Sequence, residues 1–124
     1  MEWTIEYLEE DSIVSVKILS PADIEGIREL CLEMDKLARE HNTHRYIMDH
    51  RGVGVTMSVF DIDAVPGMLK EIEADFEGKI VILMDPSAPK KNLFNFLKNI
   101  LNLESMQLEL FFDKDKAIAW LKSE

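Results

Sequence analysis

The chain has 124 residues, 47% of them apolar and 31% charged, a balance that excludes intrinsic disorder and is expected to give one domain over residues 1–124 with its own core. Fourteen Lys and Arg stand against 24 Asp and Glu, and the resulting net charge of −10 excludes nucleic acid as a partner, because phosphate neutralisation needs a basic face. No apolar run approaches the ~20 residues of a membrane span, Met1-Glu2-Trp3-Thr4 lacks a signal-peptide pattern, and the single cysteine, Cys31, fits a reducing cytoplasm, so a cytoplasmic protein with no transmembrane segment is expected.

Trp3, Ile5 and Tyr7 alternate with Thr4, Glu6 and Leu8, the period of a strand with one buried face. After the polar turn Glu9-Glu10-Asp11-Ser12, the residues Ile13, Val14, Val16 and Ile18 predict a second strand, close enough to the first to form an antiparallel hairpin. Ser20-Pro21-Ala22-Asp23 predicts a helix start, with Ser20 as cap, Pro21 in the first helical position and Asp23 completing a capping-box-like pattern. Ile24, Ile27, Leu30, Cys31, Met34, Leu37 and Ala38 then form one apolar stripe, and the helix frays by His41-Asn42.

Arg45 to Asp49 reads as a third strand, followed by the loop His50-Arg51-Gly52-Val53-Gly54-Val55-Thr56. Ser58 can cap a short turn through Val59, Phe60 and Ile62, and a main helix is expected from a cap at Asp63, with Pro66 in its first turn and Gly78 as its stop. Lys79 to Met84 is a near-continuous apolar run, the signature of a strand covered on both faces. Ser87-Ala88-Pro89 opens a further helix to Glu104, whose apolar positions span an arc of about 180°. Gln107 to Phe112 is the last strand, and Asp113-Lys114-Asp115-Lys116 opens a final helix. The order β-β-α-β-α-β-α-β-α predicts an α/β fold: a mixed, mostly parallel sheet of about five strands, with an N-terminal β-hairpin and about four helices.

Two passages carry a family resemblance. Tyr46-Ile47-Met48-Asp49-His50-Arg51-Gly52-Val53 running to Ser58, and Leu110-Phe111-Phe112-Asp113-Lys114-Asp115-Lys116-Ala117-Ile118-Ala119-Trp120-Leu121, resemble a STAS-type domain, the fold of the sporulation anti-sigma-factor antagonists. The ending is also similar to uncharacterised bacterial STAS-like proteins, some grouped with CRAL-TRIO lipid carriers. In the antagonists a serine at the start of the helix after the third strand is phosphorylated, within a pattern close to Asp-Ser-Ser-Gly. The resemblance lays that serine on Ser58, but Met57, Val59 and Phe60 replace the rest of the pattern.

Each candidate residue also has a plainer reading. A phosphate on Ser58 would meet unpaired N–H groups at a helix start, whereas capping alone already explains a serine there. His41, His44 and His50, with Asp49, Asp61 and Asp63 nearby, form no metal-ligand spacing, so solvated loop histidines are expected and no metal. His50 beside Asp49 at a strand end has the best placement for a general base, but no nucleophile elbow or phosphate loop accompanies it. Cys31 lies on an apolar stripe and reads as packing. Residues 1–77 carry 18 acidic and 7 basic side chains, net −11, against 6 and 7 in residues 78–124, net +1; Lys90, Lys91 and Lys98 could there face an anionic surface, or simply solvent.

The resulting expectation is a non-enzymatic regulatory or protein-interaction module, with no catalytic residue, cofactor or metal. Ser58 would be its phosphosite, and Asp49, His50, Arg51, Phe60, Phe94 and Leu101 its contact surface for a protein partner or a homodimer. The alternative is a carrier or sensor of a lipid or other apolar small molecule, walled by Phe94, Phe96, Leu97, Ile100 and Leu101 with Phe60 and Met68.

Overall fold

A computed structural model describes residues 1–53, 58–73, 77–86, 95, 98–99 and 106–123. Its elements are β1 (Trp3–Leu8), β2 (Ile13–Ile18), α1 (Ile24–His41), β3 (Arg45–Asp49), α2 (Val59–Asp63), α3 (Val65–Glu71), β4 (Gly78–Leu83), β5 (Met106–Phe111) and α4 (Lys114–Lys122). The strands form one sheet in the order β1-β2-β3-β4-β5. Only β1 and β2 are antiparallel, with Trp3 opposite Ile18 and Leu8 opposite Ile13; every later pair is parallel. The expected mixed sheet with its opening hairpin is therefore present.

Side-chain alternation sorts the sheet into two faces. Val14, Val16, Ile18, Tyr46, Met48, Ile80, Ile82 and Leu108 point to one side, where Leu30 and Met34 of α1, Ile62 of α2, and Val65 and Met68 of α3 close over them. Ile13, Ile47, Val81 and Leu83 point to the other, under Ala117 and Leu121 of α4. The apolar run in β4 is thus explained as expected: alternate residues serve two cores. No helix among the described residues is long and apolar enough to cross a membrane.

Three local expectations are corrected. Helix α1 is capped by Asp23, not Ser20: Asp23 has extended backbone and its carboxylate accepts from the Gly26 N–H at 2.6 Å. The Ser20 hydroxyl instead accepts from the Glu2 N–H at 2.7 Å, so it ties the end of β2 to the start of β1. Asp63 is the last residue of α2 rather than a cap; α3 begins without a side-chain cap, with Pro66 in its first turn. Gly78 is the first residue of β4 rather than a helix stop. It sits at φ +108°, and a Cβ there would overlap the His44 carbonyl oxygen, which accepts from the Lys79 N–H at 3.1 Å, so only glycine fits. The last strand and the start of β4 lie one residue earlier than expected. The expected helix from Pro89 to Glu104, with Phe94, Phe96, Leu97, Ile100 and Leu101, lies outside the described residues apart from 95, 98 and 99.

Candidate binding rim at the ends of the parallel strands

The parallel strands end on a common rim. Across it Lys17, Asp49, Leu83 and Phe111 stand in register on the α4 face of β2, β3, β4 and β5. In open α/β sheets ligands collect where the strand order reverses and successive crossovers leave on opposite faces. Here β2 to β5 follow chain order, so no reversal opens a crevice among them. The rim is instead occupied by the loop that leaves β3.

That loop is held by charge. Asp49 grips Arg51 three times: Oδ1 accepts from the Arg51 backbone N–H and from Nε, and Oδ2 from Nη2, each at 3.0 Å. Lys17 lies 3.5 Å from the same carboxylate and donates to the Arg51 carbonyl at 2.7 Å. The Leu83 carbonyl at the end of β4 accepts from the His50 N–H at 2.9 Å, and just beyond that strand Asp85 Oδ2 accepts from the Gly52 N–H at 2.8 Å. Val53 donates to the His50 carbonyl at 3.2 Å, closing a tight turn with Gly52 at φ +81°, the left-handed conformation that favours glycine at the third turn position. Strand β2, the end of β4 and the residue two beyond it therefore staple one four-residue turn.

The electrostatics follow from these contacts. Burial alone would raise the Asp49 carboxyl, but hydrogen bonds from Arg51 and the charges of Lys17 and Arg51 outweigh it and hold it below its ordinary 3.8. Hydrogen bonding to Asp49 raises the Arg51 guanidinium above its already high value. His50 is only 7% exposed, and that burial pulls it from 6.5 down to about 4, with Asp49 opposing and Lys17 assisting. His50 is therefore neutral at pH 7 and lies under the loop. Its expected place on the contact surface is corrected: packing turns the ring inward while Asp49 and Arg51 remain partly exposed at the rim.

Beyond the loop, Ser58 caps α2 as the sequence suggests, and the cap is reciprocal. Ser58 Oγ accepts from the Asp61 N–H at 3.2 Å, and Asp61 Oδ2 accepts from the Ser58 N–H at 3.2 Å. Ile62, 3% exposed, anchors this five-residue helix to the core. Phe60, about 200° around the helix axis from Ile62, is 87% exposed. Burying a phenylalanine side chain is worth ~1.5–3 kcal/mol, which the folded chain forgoes here.

The other candidates are dispersed. His41 stacks on Tyr7 with ring centroids 3.8 Å apart, His44 is exposed at the opposite end of β3, and no group of three metal-ligating side chains occurs among the described residues. Cys31 is buried, which pushes its thiol up to about 12 and makes it inert packing. Met68 belongs to the core rather than to a pocket wall. Lys98 pairs with Glu109 at 2.9 Å, so its charge is compensated within the chain. A cleft of about 160 Å³ lies at the opposite rim, between the end of α1 and the start of β3, lined by Asp35, Arg39, His44 and Tyr46. Phe94 and Leu101 fall outside the described residues.

Sequence reasoning missed Lys17 and Asp85 as the staples of the loop. The signal for Lys17 was available: it has the opposite parity to Val14, Val16 and Ile18, so period two places a cation on the other face of β2. Asp85 carries no such signal, since only the β3–β4 pairing brings it to Gly52.

No protein-family model matches the chain, and no curated protein matches it. Among solved structures it is similar to a crystal structure of an uncharacterized protein from the DUF3478 family with a SpoIIAA-like fold, from Shewanella loihica PV-4. The two share 16% identity over 97% of this chain and 92% of that one, with a TM-score of 0.55. Taken with the hairpin-led, sequentially ordered parallel sheet, that likeness gives this chain a STAS-like fold of the SpoIIAA type.

Proposed function

We propose that the chain is a non-enzymatic STAS-like module that acts in the cytoplasm by binding a protein partner, with the contact surface built from the partly exposed Asp49 and Arg51, the start of α2, and Phe60. The single observation that carries this reading is Phe60: an aromatic side chain 87% exposed on a helix pinned from both ends of a capping box. A large aromatic group left in water on a capped helix supports partner binding, since buried aromatic anchors carry much of the energy of protein interfaces. The inert, buried Cys31 suits a reducing compartment.

Ser58 supplies a means of regulation. Its hydroxyl is exposed, and its cap partner Asp61 is a carboxylate within hydrogen-bonding reach of the Ser58 backbone. A phosphate on Ser58 would bring two or so negative charges against Asp61, breaking the reciprocal cap and turning Phe60 away from its docking pose. Phosphorylation is therefore expected to weaken partner binding. Partner capture by Ser58→Asp and Ser58→Asn proteins tests this, since both side chains can cap and they differ in charge, with capture retained in Ser58→Asn and reduced in Ser58→Asp. Equal capture by the two variants removes the regulatory role. Gentle native mass spectrometry of the purified chain tests the module itself: a co-purifying apolar mass would overturn it in favour of a carrier.

A further inference from the structure

Resting on the reading of Phe60 as a docking residue, we infer that its partner presents a basic segment, with an arginine lying over the Phe60 ring and bonded to the Asp63 carboxylate.

The helix itself arranges the chemistry. At about 100° per residue, Asp61 lies roughly 100° to one side of Phe60 and Asp63 roughly 60° to the other. Ile62 holds the opposite side of α2 in the core, so the face shown to solvent is an aromatic ring between two carboxylates. Asp63 is exposed and makes no ion pair among the described residues, while Asp61 accepts from the Ser58 N–H through Oδ2.

That face discriminates among occupants. A guanidinium satisfies it completely, since its plane stacks on the ring and its edge donates to a carboxylate. An ammonium meets the charge but stacks less well. A second copy of this chain is disfavoured, because apposed Phe60 rings would bring two pairs of carboxylates together, within a segment, residues 1–77, that already carries net −11. The same charges repel an anionic lipid surface.

The test titrates the isotope-labelled full chain with a blocked Gly-Arg repeat peptide and a Gly-Lys repeat peptide of equal length and charge, reading backbone amide shifts. The expected result is a set of shifts centred on residues 58–64, with the arginine peptide bound roughly two- to fivefold more tightly than the lysine peptide. Phe60→Leu, a substitution at a solvent-exposed position, is expected to erase that preference by weakening the arginine peptide more than the lysine peptide. Asp63→Asn is expected to weaken both peptides and to flatten the salt dependence.

The inference is overturned by shifts centred on Glu25, Glu29 and Glu33 of α1, by an arginine preference that survives Phe60→Leu, or by no binding of either peptide. It is also overturned by self-association of the wild-type chain that Phe60→Leu abolishes. These outcomes are separable from failure of the module itself, because a captured partner that responds to Ser58→Asp but offers no basic segment would retain the module and discard only the arginine.

Discussion

The two faces of the sheet are made by the same strands and closed by different means. Toward α1, α2 and α3, nineteen buried residues of the described chain interlock, with Leu30 and Met34 fully enclosed. Toward α4 only six do, and charge does much of the rest. Lys79 of β4 reaches across to the end of α4, donating to the Trp120 carbonyl at 3.0 Å and the Ser123 carbonyl at 2.7 Å, with its ammonium 4.9 Å from the centre of the Trp120 ring. Lys122 pairs with Asp11 at 3.0 Å. The cause is geometric. Five strands spaced about 4.8 Å apart make a surface about 19 Å across, and α4, the one helix packed on this face among the described residues, is about 10 Å wide. On the same face, away from α4, Thr4 and Glu6 are exposed and Ser15, Lys17 and Asp49 half-buried, so the polar residues that anchor the rim loop stand in reach of water.

Removing one leucine from each face gives the largest test of that contrast. Leu30→Ala is expected to cost about 3 kcal/mol, because an enclosed site cannot collapse around the cavity. Leu121→Ala, equally buried but on a nine-residue terminal helix that can shift, is expected to cost nearer 2 kcal/mol. Urea unfolding measures both, and equal losses would break the comparison.

A pH-dependent effect belongs to the rim. His50 titrates near 6.5 when unfolded and near 4 when folded, so between those values the unfolded chain binds the extra proton. Its contribution is therefore complete above pH 6.5 and declines as pH falls toward 4, by up to about 1.4 kcal/mol per pH unit. Asp49 adds a lower window: its depressed folded value means that its contribution holds above its unfolded value and is lost as pH falls through the folded one. Stability measured from pH 7 to 4 should lose the upper slope in His50→Gln and keep it in Asp49→Asn.

The smallest effect isolates the charged closure of α4. Lys79→Met keeps the aliphatic stem but takes the ammonium from the Ser123 carbonyl and from the Trp120 carbonyl, which keeps the Ser123 N–H and hydroxyl, at an expected cost of about 1.5 kcal/mol. Hydrogen exchange should quicken in α4 and stay unchanged in α1. Uniform quickening would show that the two faces unfold as one unit.

The strands were the most legible part of the chain. Alternation in β1, the β-branched run of β2 and the two-sided apolar run of β4 each report local burial, and their bounds agree with the structure to within a residue. Helix starts were less legible, because Ser20 and Asp23 are both competent caps and the choice depends on where β2 releases the chain beside Glu2. Gly78 looked like punctuation after a helix, whereas its role is set by the approach of His44 from a different strand. In the candidate rim, the Ser58 cap could be read from its neighbours, since its bonds span three residues. The burial of His50 could not, since it depends on the pairing of His50 with Leu83.

Periodicity, capping residues and charge balance by themselves determined the element order, the hairpin, the two-sided character of β4 and the acidity of the first two-thirds of the chain. These are properties of residues within a few positions of one another, where side-chain spacing and backbone preference act directly. Tertiary structure alone decided that Lys17 and Asp85 converge on one turn, that His50 turns inward, and that Phe60 turns outward. Those outcomes follow from which strands pair and which face each helix covers, and a local pattern does not encode its neighbour across a sheet.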